Sequence, residues 1–546
     1  TLSVDPNETR DLLKQTYQTL FPQSVRHDLG EYYTPDWLAE HTITQSGFDG
    51  NPDNRVLDPA CGSGTFLILA INRMKYWYDT NFHSCGYSEP AFAEKVVSNV
   101  IGFDLNPLAV MAARTNYLLA IRDLLEHLGS VEIPVYLADS ILTPSEHGTL
   151  LTGGKLADSR LLKTAVGELV IPAEVTQSHG ALAEFSNCLM HAVDNDYSSD
   201  DFVSHLHHHG VPISNEHLHR NLFANLIDLH KTDKNGIWAL IIKNAFAPFF
   251  VGYFHFLLGN PPWINWESLP SEYRDDLKPT WQKYDLFSLG RTAGNLGGGK
   301  KDLSMLFVYV GIDKYLVETG CLGFVLTQSL FKTKGAGDGF RRFCFEEWLP
   351  SSHESWTIHP VSVDDLSRIQ CFEGATNRTS VLIARKGRGK VSYPTTYRYW
   401  RGRSRVPQSW SLSEVLSNVD QHELAAAPIA RSQRTSPWLT VEPQVLDNLR
   451  EIVGPSTYTA KEGVNTGGLN GCFWVKEIKR TKAGVLIENL WDEGKIKVTR
   501  VHENVEPDLL YPLLRGRDVQ RWHAFPKNKI ILAQDPNTRA GIPESV

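Results

Sequence analysis

The sequence predicts an α/β protein with a doubly wound parallel sheet, a helical insertion and a β-rich C-terminal region. The first observation is an alternation of short β-branched runs with amphipathic helical stretches from about residue 54 to 140. The second is a return of strand-like runs from about residue 254, after a stretch rich in His and Leu. The third is a change of composition beyond about residue 408. Strands that alternate with helices favour a parallel sheet whose ligands bind at the carboxyl ends of the strands.

Each predicted strand is followed by a turn or by a helix start. "RVLDPACGSGTFLILAINRM" passes from a strand through a Gly-rich turn into a helix, and "NVIGFDLNPLAVMAARTNYLLAIRDLL" repeats this plan. "IPVYLADSIL" supplies a third strand, "FHFLLGNPPW" a fourth and "CLGFVLTQSLF" a fifth, while "RTSVLIARK" is predicted to be the last strand of the sheet. We therefore divide the chain into a helical N-terminal segment (1–50), a sheet domain in two parts (51–144 and 246–407), a helical His-rich insertion (145–245) and a separate, apparently incomplete β-rich domain (408–546).

The composition is ordinary for a globular protein. Of 546 residues, 42% are hydrophobic and 21% are charged, and the net charge is −8. No apolar run approaches the roughly 20 residues that a membrane-spanning helix needs. Seven scattered cysteines and the lack of a leader sequence after Thr1 predict a cytoplasmic protein without a disulfide scaffold. The missing initiator methionine is compatible with a fragment of a longer chain.

One segment runs against the acidic net charge. Residues 374–413 hold nine Lys or Arg residues and no Asp or Glu, and Tyr393, Tyr397, Tyr399 and Trp400 are interleaved with them. Such a stretch can follow a phosphate backbone and offer rings to bases, although a solvated strand face has the same composition. The candidate nucleic-acid contacts are Arg385, Lys386, Arg388, Lys390, Arg398, Arg401, Arg403 and Arg405.

The His-rich stretches "SHLHHHG" (204–210) and "NEHLHRN" (215–221) raise the question of a metal site. Neither offers a carboxylate or a cysteine at a recognisable ligand spacing. We therefore interpret them as a polar helical surface and predict no metal.

The Gly-rich turn "DPACGSGTF" (58–66) has the character of a ligand-binding loop. Gly62 and Gly64 let the backbone approach a ligand closely, and the following helix offers free N–H groups. The turn is neither G-x-G-x-x-G nor G-x-x-x-x-G-K-[ST], which disfavours dinucleotide and P-loop sites. Asp104 and Asp139 end the next two strands, where carboxylates can accept hydrogen bonds from ribose hydroxyls and an adenine amine. Each could instead be a helix cap or a turn residue.

These motifs resemble a known enzyme family. "DPACGSGTF", "GFDLNP", "ADSIL" and "GNPPW", in this order, are similar to the gamma-class S-adenosylmethionine-dependent DNA methyltransferases that modify the N6 amine of adenine. Such enzymes occur in Type I and Type IIG restriction-modification systems and among phage-defence methylases. "LGEYYTPDWLAEHTI" (29–43) resembles their N-terminal motif, and "LLRGRDVQRW" resembles the start of their recognition region. The resemblance covers about residues 28–385, apart from the insertion, and implies a Rossmann-like class I methyltransferase sheet followed by a partial recognition domain.

The resemblance also implies roles for individual residues. Asn260 to Trp263 would form the catalytic loop, in which the Asn260 side-chain carbonyl and the Pro261 backbone carbonyl accept the two N6 hydrogens and Pro262 stiffens the turn. Trp263 and Phe372 would stack on a flipped-out adenine. The residues expected to contact S-adenosylmethionine are Tyr33, Thr34, Asp58, Pro59, Ala60, Cys61, Gly62, Gly64, Asp104, Leu105, Asp139, Ser140 and Asn260.

The expected partner is double-stranded DNA, together with other subunits of a restriction or phage-defence system. The chain could also be the modification half of a bifunctional Type IIG enzyme, although the sequence offers no convincing Asp…Glu-x-Lys nuclease constellation, so that cleavage would have to reside outside this chain. A methyltransferase that acts on RNA or on a protein amide nitrogen would carry a similar Asn-Pro-Pro-aromatic loop. An inactive scaffold that only binds DNA or a partner is a further possibility.

Overall fold

A computed structural model describes most of the chain. The described residues are 33–129, 131–147, 159–164, 167–231, 238–287, 301–348, 353–372, 377–402, 405–453, 457–458, 463–482, 484–494, 496–535, 538 and 540–542. They divide into two compact units, residues 1–454 and 455–546.

An 11-stranded mixed sheet forms the centre of the first unit. Its strands are β1 (Val56–Asp58), β2 (Val100–Asp104), β3 (Val135–Leu137), β7 (Phe254–Gly259), β8 (Leu316–Thr327), β9 (Cys344–Trp348), β10 (His353–Asp365), β11 (Thr379–Gly387), β12 (Thr395–Gly402), β13 (Val419–Pro428) and β14 (Trp438–Val441). The helices of this unit are α1 (Asp36–Ser46), α2 (Thr65–Cys85), α3 (Glu89–Asn99), α4 (Pro107–Ala120), α5 (His179–Asp194), α6 (Ser199–His208), α7 (Glu216–Lys231), α8 (Trp238–Phe250), α9 (Ser271–Lys283), α10 (Ser304–Lys314), α11 (Ser329–Lys332), α12 (Leu412–Ser417) and α13 (Leu446–Ile452).

The strand order confirms the predicted doubly wound sheet. The order is β14-β13-β12-β10-β11-β8-β7-β1-β2-β3, and β9 pairs with β10. The five strands from β3 to β8 are mutually parallel, whereas β11 runs antiparallel to both of its neighbours, β8 and β10. The chain proceeds outward from β1 to β3 and then returns to β7 on the other side of β1. This reversal opens a crevice at the carboxyl ends of β1 and β7.

Apolar side chains cover both faces of the sheet. Val56 and Leu57 are adjacent in β1 and belong to different core clusters, as do Leu257 and Leu258 in β7. Successive strand residues point to opposite faces, so uninterrupted apolar runs are what a sheet covered on both sides requires. Helices α1 and α2 supply residues to one cluster and α10 supplies residues to the other.

The insertion differs in part from the mostly helical segment that the sequence predicted. It opens with a three-stranded antiparallel sheet of β4 (Ser145–His147), β5 (Ser159–Thr164) and β6 (Gly167–Pro172), and helices α5 to α7 follow. The strand-like alternation in "SRLLKT" and "GELVIP" is short. Longer helical patterns make up most of the insertion, so the sequence did not reveal these strands. Helix α8 runs through the predicted boundary at 245/246. Within this helix, Phe246 packs in the core of the insertion, whereas Ala247 packs under the sheet.

The sheet also extends further than predicted. "RTSVLIARK" is β11, and β12, β13 and β14 follow it into the same sheet, so the composition change near residue 408 lies inside the first unit. Tyr397 and Trp400 explain the extension, since both are almost fully buried and fix β12 to the core. The chain divides at 454/455 instead.

The second unit contains a five-stranded antiparallel sheet in the order β17-β16-β15-β21-β18 and a two-stranded hairpin, β19-β20. Its elements are α14 (Asn470–Phe473), β15 (Trp474–Thr481), β16 (Gly484–Asn489), β17 (His502–Val505), β18 (Leu510–Leu513), β19 (Val519–Gln520), β20 (His523–Ala524) and β21 (Asn528–Ile531). Among the described residues of the whole chain, no helix combines the length and apolarity needed to cross a bilayer.

Candidate active site

A cavity of about 580 Å³ lies at the carboxyl ends of the parallel strands. Asp58 ends β1, Asp104 ends β2, Asp139 follows β3 and Asn260 follows β7. All four line the cavity, which therefore occupies the crevice where the strand order reverses. With the exception of Gly64, the predicted cofactor-contacting residues all line it, and Pro262 does so as well: Tyr33, Thr34, Asp58, Pro59, Ala60, Cys61, Gly62, Asp104, Leu105, Asp139, Ser140 and Asn260.

The Gly-rich loop is shaped by two left-handed glycines. Gly62 has φ +54° and Gly64 has φ +90°, a backbone conformation that side chains with a Cβ rarely adopt. A Cβ at Gly62 would meet nothing within 4 Å, so this part of the loop is open, whereas a Cβ at Gly64 would lie 3.3 Å from Ala113. Gly64 therefore serves the packing of the loop against α4, and Gly62 leaves space at the cavity.

Asp104 is held by the loop that it faces. Its Oδ2 accepts a hydrogen bond from the Gly62 N–H at 2.8 Å, and its Oδ1 accepts one from the Asn106 N–H, also at 2.8 Å. Each carboxylate oxygen has a second lone-pair direction. Asp104 is thus fixed in orientation and still able to accept hydrogen bonds from a ligand.

Asp58 is buried at the base of the cavity. Burial raises its pKa well above the ordinary value for Asp, although the Ala60 N–H that bonds to its Oδ1 opposes the change, and the charge of Asp104 adds to it. Gly259 makes room for this carboxyl group, because a Cβ at Gly259 would lie 2.5 Å from Asp58 Oδ1. The end of β7 and the end of β1 can approach each other only with glycine at this position.

Asp139 is bound by both of its oxygens. Oδ1 accepts hydrogen bonds from the N–H groups of Ile141 at 2.7 Å and Leu142 at 2.9 Å, and Oδ2 accepts one from the Tyr273 hydroxyl at 2.9 Å. Burial raises the pKa of Asp139 even though these bonds oppose the change. Sequence reasoning missed Tyr273, because α9 follows the Asn-Pro-Pro-Trp loop and carries no motif of its own.

The Asn-Pro-Pro-Trp loop joins the cavity to the core. Asn260 and Pro262 line the cavity, while Pro261 and Trp263 are buried and do not. The Trp263 Nε1–H donates a hydrogen bond to the Val325 carbonyl at 3.2 Å, which ties the loop to β8. The rings of Trp263 and Phe372 meet edge to face with 5.1 Å between their centres, and both side chains are at most 5% exposed.

Two family models match the chain, and both concern DNA methylases. The N-6 DNA Methylase family matches residues 8–148, and the Eco57I restriction-modification methylase family matches residues 98–351. The two matches overlap and together cover residues 8–351. The matched ranges contain the Gly-rich loop, Asp104, Asp139 and the Asn-Pro-Pro-Trp loop, which are the parts that form the cavity. No curated protein matches the sequence.

Comparison with solved structures finds restriction-modification enzymes at low identity and with TM-scores below 0.5. The Type ISP enzyme LlaGI, as a nuclease-deletion mutant with a DNA substrate mimic, is 13% identical with a TM-score of 0.39, and covers 77% of this chain and 28% of its own. The Type ISP enzyme LlaBIII, bound to DNA, is 12% identical with a TM-score of 0.42, and the match covers 80% of this chain and 25% of LlaBIII. A modification subunit of a putative type I restriction enzyme from Vibrio vulnificus YJ016 is 14% identical with a TM-score of 0.38. This match covers 79% of this chain and 63% of that subunit. The chain thus spans less than two thirds of the length of each of these proteins.

The basic segment of the chain does not form one continuous strip. Strand β11 is antiparallel to β8, so Arg385, Lys386 and Arg388 lie toward the edge of the sheet opposite the cavity. The Lys386 Nζ donates a hydrogen bond to the Leu316 carbonyl at 2.9 Å, and the Arg388 Nε lies 2.9 Å from Glu318.

The later basic residues return to the cavity edge. Strand β12 is parallel to β10 and so points the same way as β7 and β8, which brings Arg401 and Arg405 to this edge. Both are exposed, whereas Arg398 is largely buried in an ion pair with Asp364 at 2.9 Å. Lys390 is exposed after β11, and Arg403 lies outside the described residues. The aromatic residues Tyr397 and Trp400 are core residues, so they do not offer rings at the surface.

Apolar residues also line the cavity. Ile264, Leu269, Leu303 and Phe307 line it, and they come from the segment after Trp263 and from the start of α10. The backbone holds these two segments together, since the Leu303 N–H donates to the Ile264 carbonyl at 2.8 Å. No local sequence pattern marks these residues. They come together only because the segment at Ile264 pairs with the segment at Leu303, which is distant in the chain.

Proposed function

We propose that this chain transfers a methyl group from S-adenosylmethionine to the N6 amine of a flipped-out adenine in double-stranded DNA. The observation that carries the proposal is one cavity that is lined both by the three acidic strand ends and by Asn260 and Pro262 of the Asn-Pro-Pro-Trp loop. A donor site and an acceptor-amine site must share one cavity if a methyl group is to pass directly between them. The match of residues 8–148 to the N-6 DNA Methylase family supports the same reaction.

The residues present fit S-adenosylmethionine. The Asp104 carboxylate, fixed by two backbone N–H groups, suits a pair of ribose hydroxyls, and the left-handed Gly62 leaves space beside it. Asp139 would accept the adenine amine of the cofactor, and Tyr33 and Thr34 would lie near its methionyl end. When bound, the cofactor supplies a sulfonium methyl group. The volume of the cavity is within the usual range for a ligand of this size.

Asn260 would prepare the substrate amine for attack. The lone pair of an adenine amine is delocalised into the ring, and two hydrogen-bond acceptors that bind both N6 hydrogens favour a tetrahedral nitrogen. The side-chain carbonyl of Asn260, which lines the cavity, would be one acceptor. The backbone carbonyl of Pro261 would be the second after the loop turns it toward the base, because Pro261 is buried and does not line the cavity. Pro261 and Pro262 limit the backbone freedom of the loop, so its acceptors lose little entropy when the base arrives.

Trp263 would contribute to base stacking under one condition. Its indole is only 5% exposed and contacts Phe372, so the pair must separate or rotate before a base can stack on either ring. Stacking on an aromatic side chain offsets about 1–3 kcal/mol of the cost of flipping a base. The hydrogen bond from Trp263 to Val325 would keep the loop attached to β8 during this movement.

DNA would approach the edge of the sheet that carries Arg401 and Arg405. The second unit would read the target sequence, and within it the β19-β20 hairpin presents Arg521 beside Trp522, whose side chain is 90% exposed. An exposed indole next to a guanidinium group offers a stacking surface and a positive charge to a nucleic acid. We propose a restriction-modification or phage-defence setting, in the cytoplasm and with companion subunits.

Two variants separate the chemistry from cofactor binding. Asn260→Ala should abolish transfer of labelled methyl groups to mixed genomic DNA and leave cofactor affinity within about twofold, since it removes an acceptor used with the substrate amine. Asp104→Ala should weaken cofactor binding by about tenfold or more, because it removes a charged hydrogen-bond acceptor. Titration calorimetry measures affinity, and sequencing of the product maps the methylated base.

Asn265→Ala is the matched control, since Asn265 follows the same loop and does not line the cavity. Full activity of Asn260→Ala would refute the role of this side chain. Transfer to RNA or to protein in place of DNA would identify a different substrate class, and a chain that binds DNA but neither binds the cofactor nor transfers methyl groups would be a scaffold.

A further inference from the structure

Helices α5 and α6 of the insertion bring three potential metal ligands together. Cys188 on α5 and His205 and His209 at the end of α6 each offer a donor atom, and these atoms all lie within 4.8 Å of one another. Cys188 is buried, His205 is half-buried and His209 is exposed, so the group sits where the helix pair meets solvent. This cluster belongs to the separate core of the insertion and has no part in the cavity.

A carboxylate completes the group. Glu184 Oε1 lies 2.9 Å from His209 Nδ1 and 4.0 Å from Cys188 Sγ. Glu184 and Cys188 are four residues apart on α5, and His205 and His209 are four residues apart at the end of α6. Residues with this spacing project from the same face of a helix, so each helix contributes one pair of donors to the same point.

A neighbouring ring holds one member of the group in place. The His191 ring stacks on His205 with 4.9 Å between their centres, which fixes the imidazole in place.

We propose that Glu184, Cys188, His205 and His209 bind one Zn²⁺ ion that joins α5 to α6. One sulfur, two imidazole nitrogens and one carboxylate oxygen are donors that zinc accepts, and four protein ligands leave no open position, which is typical of a structural site. Zinc bonds of about 2.0–2.3 Å require donor atoms roughly 3.3–3.8 Å apart, so the donor atoms of Cys188, His205 and His209, which lie within 4.8 Å of one another, close by about 1 Å when the ion binds, and the Glu184 carboxylate turns from His209 toward the ion. Spacing along the sequence does not reveal these four ligands, because two of them come from one helix and two from another.

Zinc titration of the purified full-length chain against a chromogenic chelator tests the proposal. We expect one ion per chain with a dissociation constant of micromolar or tighter, and a loss of about tenfold or more in affinity for Cys188→Ser and for His209→Ala. Cobalt in place of zinc should give a thiolate-to-metal charge-transfer band that is absent in Cys188→Ser. His217→Ala is the control, since His217 is an exposed histidine on α7 of the same insertion.

His209→Ala also guards against a folding artefact, because His209 is exposed and follows the last residue of α6. Circular dichroism of the metal-free variants shows whether each has folded. A folded His209→Ala that binds zinc as tightly as the unmodified chain would overturn the proposal. So would a cobalt band that persists in Cys188→Ser, or a loss of affinity in His217→Ala equal to that of the ligand variants.

Discussion

Gly259 shows how a missing side chain determines the site. The buried carboxyl group of Asp58 occupies the space where a Cβ of residue 259 would lie, at 2.5 Å from Oδ1. Because Asp58 Oδ1 is also held by the Ala60 N–H, the carboxyl group cannot move without breaking that bond. The sequence marks Gly259 only as the residue before Asn260, and the contact that requires glycine comes from β1, far earlier in the chain.

We expect Gly259→Ala to reduce the free energy of unfolding by about 1–3 kcal/mol, because the added methyl group overpacks a buried contact. Displacement of Asp58 should also lower cofactor affinity. Urea denaturation and titration calorimetry measure the two effects. Gly180→Ala is the control, because Gly180 lies in α5 with nothing within 4 Å of an added Cβ, and alanine there should stabilise by up to about 1 kcal/mol. Unchanged stability and affinity of Gly259→Ala would show that the space is not restrictive.

Asp302 links stability to pH. Burial raises its pKa from 3.8 to about 6, although Oδ1 accepts a hydrogen bond from the Ser304 N–H at 2.9 Å and Oδ2 accepts one from the Thr327 hydroxyl. The folded state thus prefers the protonated carboxyl group. The stability that this residue contributes is present below about pH 4 and is lost as the pH rises through about 6.

We therefore compare the free energy of unfolding of Asp302→Asn with that of the unmodified chain. Between pH 4 and pH 8 this difference should shift in favour of the variant by about 3 kcal/mol, as a pKa rise of this size requires. The amide keeps an acceptor for Ser304 and does not ionise. Urea denaturation at several pH values measures the difference. Asp420→Asn on β13 is the control substitution at an exposed position. A difference for Asp302→Asn that stays flat with pH would contradict the assigned pKa.

The direction of a strand decides what a basic segment can do. Arg385 and Arg401 belong to the same basic stretch, yet β11 and β12 carry them toward opposite edges of the sheet. Arg401 lies at the cavity edge, four strands from β7, which corresponds to roughly 19 Å at the usual strand spacing. The composition reveals the positive charge of the segment. It does not reveal that β11 runs antiparallel to its neighbours.

We expect Arg401→Ala to weaken binding to duplex DNA by about threefold to tenfold at fixed salt, as the loss of one phosphate contact does, and to reduce the salt dependence of binding. Arg385→Ala, the matched control from the same segment, should change neither. Fluorescence anisotropy at two salt concentrations measures both quantities. Equal losses in the two variants would mean that charge acts at long range rather than through one edge of the sheet.

Over the whole molecule, the division at 454/455 separates the cavity from the region that resembles a recognition domain. Every residue that lines the cavity lies before this point. The second unit has a small core of its own, with Val475, Val485 and Ile487 buried. The two units thus carry separate parts of the proposed function.

We expect a fragment of residues 1–453 to bind S-adenosylmethionine within about threefold of the full chain and to lose about tenfold or more in affinity for its DNA target, because the base-reading contacts are removed. Calorimetry and anisotropy measure the two affinities. Methylation of the same DNA sites by the fragment and by the full chain would show that recognition does not depend on residues 455–546.

The sequence by itself determined the parallel strands of a doubly wound sheet, the Gly-rich loop, the acidic strand ends and the Asn-Pro-Pro-Trp loop. These features are local, since a strand followed by a glycine turn or a proline pair is specified by adjacent residues. The tertiary structure alone decided that β12 to β14 join the sheet, that Trp263 is buried, and that Tyr273 and Gly259 support the carboxylates. It also decided that Cys188 meets His205 and His209. Each of these depends on contacts between distant segments, which are set by packing of the whole chain and leave no signal in a short stretch of sequence.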